Sequence, residues 1–99
     1  MAQTIRANGR VYSIADAHAA ACCELADVEA EIRAAEDEVG YLYRLVQQLG
    51  AATSSAGRVE HARALSRLAD CEAILRDLRP HAADLRKRIG ELCAAEGAA

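Results

Sequence analysis

The fold is decided by residues 11–49, which read VYSIADAHAAACCELADVEAEIRAAEDEVGYLYRLVQQL. A seven-residue repeat runs through this stretch without a slip, and its apolar members are spaced alternately three and four residues apart. This spacing places them on one face of an α-helix and is typical of a helix packed lengthwise against another helix. This face, termed the seam, consists of the a positions Val11, His18, Leu25, Ile32, Val39 and Val46 and the d positions Ile14, Ala21, Val28, Ala35, Leu42 and Leu49.

The residues before this helix contain a turn signal. Asn8-Gly9 is a preferred two-residue hairpin turn, and apolar residues flank it on both sides. Because an isolated two-stranded hairpin is only marginally stable, residues 1–13 are interpreted either as a short β-hairpin or as an irregular N-terminal arm. If the hairpin forms, Val11 belongs to it and the helical seam begins at Ile14.

Helix 1 is predicted from residue 14 to about residue 50. Ser13 followed by Asp16 resembles a capping box, in which the Ser hydroxyl accepts a hydrogen bond from an early backbone N–H. Gly50 suits the residue just past a helix end, and the small and polar residues 51–57 follow it. We therefore expect the turn of a helical hairpin at 51–57.

Helix 2 is predicted from about residue 58 to residue 96, and it has a seam of its own. Pro80 removes one hydrogen bond inside this helix, but it falls at an outward position and the repeat continues past it. We expect helix 2 to be continuous and bent near Pro80. Its seam consists of Leu68, Leu75, Ala82 and Ile89 at a, with Ala64, Cys71, Leu78, Leu85 and Leu92 at d.

Charges favour packing of the two helices against each other. Residues 14–50 carry eight acids and two arginines (net −6), whereas residues 58–96 carry eight bases and seven acids (net +1). Pairing the acidic helix with the basic helix avoids like-charge repulsion. A seven-residue turn implies an antiparallel register in which paired residue numbers sum to about 110, so that Leu25 faces Leu85 and Leu42 faces Leu68. This register predicts ion pairs Glu24–Arg88 and Glu29–Arg79 and a repulsive contact between Glu36 and Glu72.

Composition indicates one small all-α domain. The 99-residue chain has no Trp, no Phe and one Pro, while Ala, Leu, Glu and Arg dominate, as is typical of long helices. Twelve basic against fifteen acidic residues give a formal charge of −3, which offers no net attraction to nucleic acid or to an anionic membrane. Without a leader-like start or a long apolar run, we expect a cytoplasmic protein that binds neither.

Four apolar residues lie outside the narrow seams, at the e and g positions of the repeat: Tyr43, Leu45, Leu65 and Ile74. An apolar stripe wider than a and d is typical of a helix in a bundle. We expect these residues to form the face of a homodimer that makes a four-helix bundle, or a docking face for a different protein. The predicted function is a protein-binding module: an adaptor, an assembly factor or an inhibitor.

An alternative function is suggested by four residues that the register brings to one end of the hairpin: His18, Cys22, Cys23 and Cys93. A thiol and imidazole cluster can hold zinc, and Cys22 with Cys93 can form a redox pair. The competing interpretation is structural, because Cys behaves as a small apolar residue and Cys71 lies within the seam itself. We therefore predict no cofactor and favour no metal site, with a metal- or redox-responsive protein as the alternative.

No sequence motif indicates an enzyme. The chain contains no Gly-rich phosphate loop, no Gly-x-Ser-x-Gly and no His-Glu-x-x-His. In length and hairpin pattern it resembles the WXG100 family, but it has Gln48-Leu49-Gly50 at the bend and no Trp for that family's Trp-x-Gly turn. The predicted shape also resembles small phage and mobile-element proteins that bind host machinery, a resemblance that implies an inhibitor.

Overall fold

The computed structural model of the protein describes residues 4–7 and 10–97. Two short strands, β1 (Thr4–Ala7) and β2 (Arg10–Ser13), precede two long helices, α1 (Ile14–Leu49) and α2 (Ser55–Gly97). The prediction of an all-α architecture with two long helices is confirmed, and the element order is consistent with a helical hairpin. Within the described residues, neither helix has the length and the apolar character that crossing a membrane requires.

The chain divides into two compact units, each containing part of both helices. The terminal unit comprises Met1–Glu29 and Pro80–Ala99, and the turn unit comprises Ala30–Arg79. The division in α2 falls next to Pro80, yet α2 continues through this residue without a break. A proline that faces outward removes one backbone hydrogen bond and leaves the seam intact, which explains the continuity.

The two strands pair antiparallel in the segment for which the sequence left a hairpin and an arm open. Thr4 is opposite Ser13 and Arg6 is opposite Val11. Val11 therefore belongs to β2, and the helical part of the seam begins at Ile14. The predicted turn residues, Asn8 and Gly9, lie outside the described residues.

Serine hydroxyls cap the start of both helices. The Ser13 Oγ accepts a hydrogen bond from the Asp16 backbone N–H at 3.0 Å, as the capping signal predicted. The Ser54 Oγ accepts one from the Gly57 N–H at 3.0 Å, so α2 begins at Ser55, three residues earlier than predicted. Gly57 lies in the first turn of α2, and the position favours glycine because a Cβ there would lie 2.6 Å from the Ala52 Cβ.

In the turn unit, the core is built from seam residues of both helices. Leu42 is 3% exposed and packs with Leu68 and Cys71. Ala64 completes this cluster, against which Val39, Leu45 and Val46 pack. The residues that the predicted register pairs in layers, with residue numbers that sum to about 110, thus lie in one cluster here.

In the terminal unit, the core combines small and large apolar residues. Ala21 packs with Ile14 and Leu92, and Ala82 is 1% exposed.

Burial in α1 is uneven along the whole seam. Its d positions from Ile14 to Leu42 are buried, whereas its helical a positions are half-buried. The a side of the α1 seam is therefore more exposed to solvent than the d side, whereas a symmetric two-helix contact would bury both equally.

Ion pairs flank the seams, but the two acids with a predicted partner each contact a residue one repeat away from it. Glu24 contacts His81 at 3.1 Å instead of Arg88, and Glu29 contacts Arg86 at 3.8 Å instead of Arg79. The predicted pairs are wrong because e and g side chains project from the flanks of the seam and not into it. The residue that each one contacts on the other helix is therefore displaced along the helix axis from the layer that the register assigns.

Glu36 and Glu72, for which the register predicts a repulsive contact, each have a different partner. Glu36 pairs with Arg79 at 3.4 Å. Glu72 accepts a hydrogen bond from the Tyr43 hydroxyl instead. Each of the two carboxylates thus has its own partner across the seam of the turn unit.

Replacing Leu42 with Ala removes a side chain that is only 3% exposed and packs in the turn-unit core. We expect the free energy of unfolding to fall by about 2–5 kcal/mol, since truncation of a buried leucine loses apolar burial and leaves a cavity. Gln47→Ala changes an exposed residue of the same helix and is expected to alter stability by less than about 0.5 kcal/mol. Chemical denaturation followed by circular dichroism measures both, and equal effects would contradict the core assignment.

Candidate functional site

Large apolar side chains are exposed in the turn unit. Their exposed fractions run from 44% to 57%, and all of them belong to Ala30–Arg79. The residues are Tyr41, Tyr43, Val59, Leu65 and Ile74. Among residues 13–29 and 80–97 of the terminal unit, no large apolar residue is exposed. Because exposed apolar side chains concentrated in one region are typical of interaction sites, the turn unit contains the candidate binding surface.

The four predicted face residues are distributed over two flanks of the seam. Tyr43, Leu65 and Ile74 are exposed, whereas Leu45 is half-buried and packs against the turn-unit core. The e and g positions of a heptad lie on opposite sides of the a and d stripe. Tyr43 and Leu65 are therefore on one side, termed the e flank, and Leu45 and Ile74 are on the other, termed the g flank.

The g flank contains an open groove of about 470 Å³ within the turn unit. Seam residues Leu42 and Ala64 contribute to its apolar lining, and Leu45 and Tyr41 extend this lining outward. Four charged residues also line the groove: Glu38, Glu60, Arg63 and Arg67. The groove thus combines an apolar surface with a charged border, as interfaces with a buried centre and a polar rim do.

Two of the four charges at the groove are paired with each other. Arg67 donates a hydrogen bond to Glu38, and this bond holds the pKa of Glu38 below its ordinary value and raises the pKa of Arg67. Within residues 13–97, Glu60 and Arg63 make no ion pair. The groove therefore presents one acid and one base, three residues apart on α2, that are available to a binding partner.

Sequence reasoning missed Tyr41, Glu60 and Arg63. Tyr41 and Arg63 occupy c positions of the repeat, which face solvent in a simple two-helix contact. The available signal was the small Ala64 at d, because a short side chain there leaves room above it for residues at c and g to line a depression.

On the e flank, a hydrogen bond links the two helices within the turn unit. The Tyr43 hydroxyl donates to Glu72 Oε1 at 2.8 Å, and this bond raises the pKa of the Tyr43 phenol. The bond fixes the direction of an exposed aromatic ring. Tyr43 therefore adds rigid apolar surface to the flank that also carries the exposed Leu65.

The predicted imidazole and thiol residues lie in the terminal unit. The His18 Nε2 is 3.2 Å from the Cys93 Sγ, and the His18 Nδ1 is 3.3 Å from Glu96 Oε1. Cys22 and Cys23 are exposed free thiols. Within the described residues, no group of three or more His, Cys, Asp or Glu residues is arranged to hold a metal ion. The structure thus joins His18 to Cys93 and adds Glu96, which sequence reasoning did not name.

Cys71 is a core residue, as predicted. It is 5% exposed and packs with Leu42, Ala64 and Leu68. Burial raises the pKa of its thiol. A buried thiol that is held protonated is a poor nucleophile, so Cys71 is not a candidate for chemistry.

The Tyr43–Glu72 hydrogen bond makes the free energy of unfolding decrease at alkaline pH. Because folding raises the pKa of this phenol, the bond contributes fully below the ordinary phenol value of about 10 and is lost as pH rises through the folded value. We expect the wild type to lose its stability advantage over Tyr43→Phe above that pH. Denaturation of both proteins at several pH values measures this, and an advantage that persists at high pH would contradict it.

Comparison with known proteins provides no relative for this chain. No protein-family model matches it, and searches of curated proteins and of solved structures found no significant match. The function is therefore inferred from the residues and contacts described above.

Proposed function

We propose that this chain is a non-enzymatic protein-binding module that works as a homodimer of helical hairpins. The observation that supports the proposal best is that, within residues 13–97, the large exposed apolar side chains all belong to the turn unit. A chain of 99 residues buries a limited fraction of its surface by itself, so association with a second copy is a common way to complete the core.

The g-flank groove fits a second copy of the same chain. In a two-fold interface the same surface is present on both sides, so it must complement itself. The groove contains one available acid, Glu60, and one available base, Arg63. A two-fold axis near the groove places Arg63 of one copy opposite Glu60 of the partner subunit. The apolar side chain of Tyr41 then lies in the contact between the two copies, Ile74 extends this contact along the same flank, and the two hairpins form a four-helix bundle.

The e flank is left for a different protein in this arrangement. It carries the exposed Tyr43 and Leu65 beside the half-buried a positions of α1. An aromatic ring held by a hydrogen bond loses little conformational freedom on binding, and tyrosine is common at the centre of interfaces. We place the adaptor, assembly or inhibitor role of the dimer on this flank.

Two substitutions on α2 separate the flanks. Ile74→Glu places a charge on the g flank, and Leu65→Glu places the same charge on the e flank, at residues that are 47% and 44% exposed. We expect Ile74→Glu to weaken dimerisation at least about tenfold, which corresponds to about 1.4 kcal/mol, and Leu65→Glu to leave it unchanged. Sedimentation equilibrium measures both. A wild type that is monomeric at micromolar concentration would contradict the proposal, as would equal effects of the two substitutions.

Charge reversal tests the pairing across the two-fold axis. Arg63→Glu sets acid against acid in both halves of the interface, so we expect dissociation. Combining it with Glu60→Arg in the same chain restores opposite charges and should restore the dimer. Arg33→Glu, an exposed arginine outside the groove, serves as the control. A dimer that is insensitive to Arg63→Glu would place the interface elsewhere.

A further inference from the structure

A nucleophile, a base and a carboxylate are aligned in the terminal unit. Cys93 and Glu96 are three residues apart on α2, so their side chains leave the helix on the same side. His18 of α1 contacts both, with Nε2 at 3.2 Å from the Cys93 Sγ and Nδ1 at 3.3 Å from Glu96 Oε1. The tautomer with its proton on Nδ1 satisfies both contacts, because Nδ1 then donates to the carboxylate and Nε2 accepts from the thiol.

This order of groups is the arrangement that activates nucleophiles. A thiol is activated when a general base lies within hydrogen-bond reach and a third group orients that base. Cys93 is exposed, so a small molecule can reach its sulfur. The three residues thus supply the nucleophile, the proton acceptor and the orienting carboxylate at an accessible position.

We propose that Cys93 is a modification site that forms mixed disulfides with low-molecular-weight disulfides, with His18 as the general base and Glu96 as its positioning residue. As the Cys93 sulfur attacks one sulfur of the disulfide, the thiol proton passes to the His18 Nε2. The new S–S bond forms while the old one breaks. The departing thiolate then takes the proton from the imidazolium, so the products are a mixed disulfide at Cys93 and one free small thiol.

The other cysteines provide internal comparisons. Cys22 and Cys23 are exposed and belong to the same unit, but neither contacts an imidazole nitrogen within the described residues. Cys71 is buried. Accessibility alone therefore predicts similar reactivity for Cys22, Cys23 and Cys93, whereas the His18 contact predicts selective modification of Cys93. The site lies outside the turn unit, so its chemistry is tested independently of dimerisation.

Reaction of the wild-type protein with oxidised glutathione tests the proposal without any substitution. Peptide mapping by mass spectrometry after short exposures gives the rate at each cysteine. We expect Cys93 to be modified at least about tenfold faster than Cys22 or Cys23 near neutral pH. Equal rates at the three exposed cysteines would overturn the proposal and leave the His18 contacts as structural hydrogen bonds.

Two substitutions then test the roles of the neighbours. His18→Gln removes the base, so the Cys93 rate should fall to the level of Cys22 and its pH profile should become the same as that of Cys22. Glu96→Ala should lower the Cys93 rate and leave the Cys22 rate unchanged. Circular dichroism checks that both variants keep the wild-type helicity. A Cys93 rate that is unchanged in a helical His18→Gln protein would also overturn the proposal.

Discussion

Burial of the α1 d positions against α2 is the constraint on which the rest of the structure depends. From Ile14 to Leu42, every d position is buried, and each unit has a core of d and a residues from both helices. Alanine at two of these five positions, Ala21 and Ala35, lets the helix backbones approach closely there. If the sequence of either helix were shifted by one residue relative to the contact, polar side chains would occupy the buried positions. The antiparallel register is therefore determined by the apolar pattern before any charge acts.

Once this register is set, it determines which side chains meet outside the core. The bonded pairs at e positions, Tyr43–Glu72 and Glu36–Arg79, have residue numbers that sum to 115. The pairs at g positions, Glu38–Arg67 and Glu24–His81, sum to 105. In the core layers, paired residue numbers sum to about 110. The e pairs are therefore offset from a core layer in one direction along the helices, and the g pairs are offset in the other. These exposed pairs contribute little stability individually, and they follow from the register more than they create it.

Features governed by periodicity could be predicted from the sequence. The two helices, the Ser13 cap and the core position of Cys71 all follow from repeat spacing and capping chemistry. Features that depend on three-dimensional offsets could not. The partners of Glu24 and Glu29 were misplaced by one repeat because numbers that add to 110 describe the seam and not its flanks.

The start of α2 and the groove escaped prediction for a different reason. The small and polar stretch 51–57 predicts a turn that includes Gly57, yet Gly57 lies in the first turn of α2, where its missing Cβ leaves room for Ala52. The groove lies beside the small side chain of Ala64, and Tyr41 also lines it. Local propensity and periodicity contain no information about such space between helices.

His18 links the structural and the chemical interpretations of the terminal unit. An imidazole at an a position is removed in part from water, and an unpaired polar group there would destabilise the packing. Cys93 and Glu96 satisfy its two nitrogens, so the polar residue is compatible with an otherwise apolar seam. The same two contacts place a proton acceptor beside an exposed thiol. Hydrogen-bond satisfaction explains why His18 is tolerated, and the reactivity of Cys93 is a separate consequence of which two groups satisfy it.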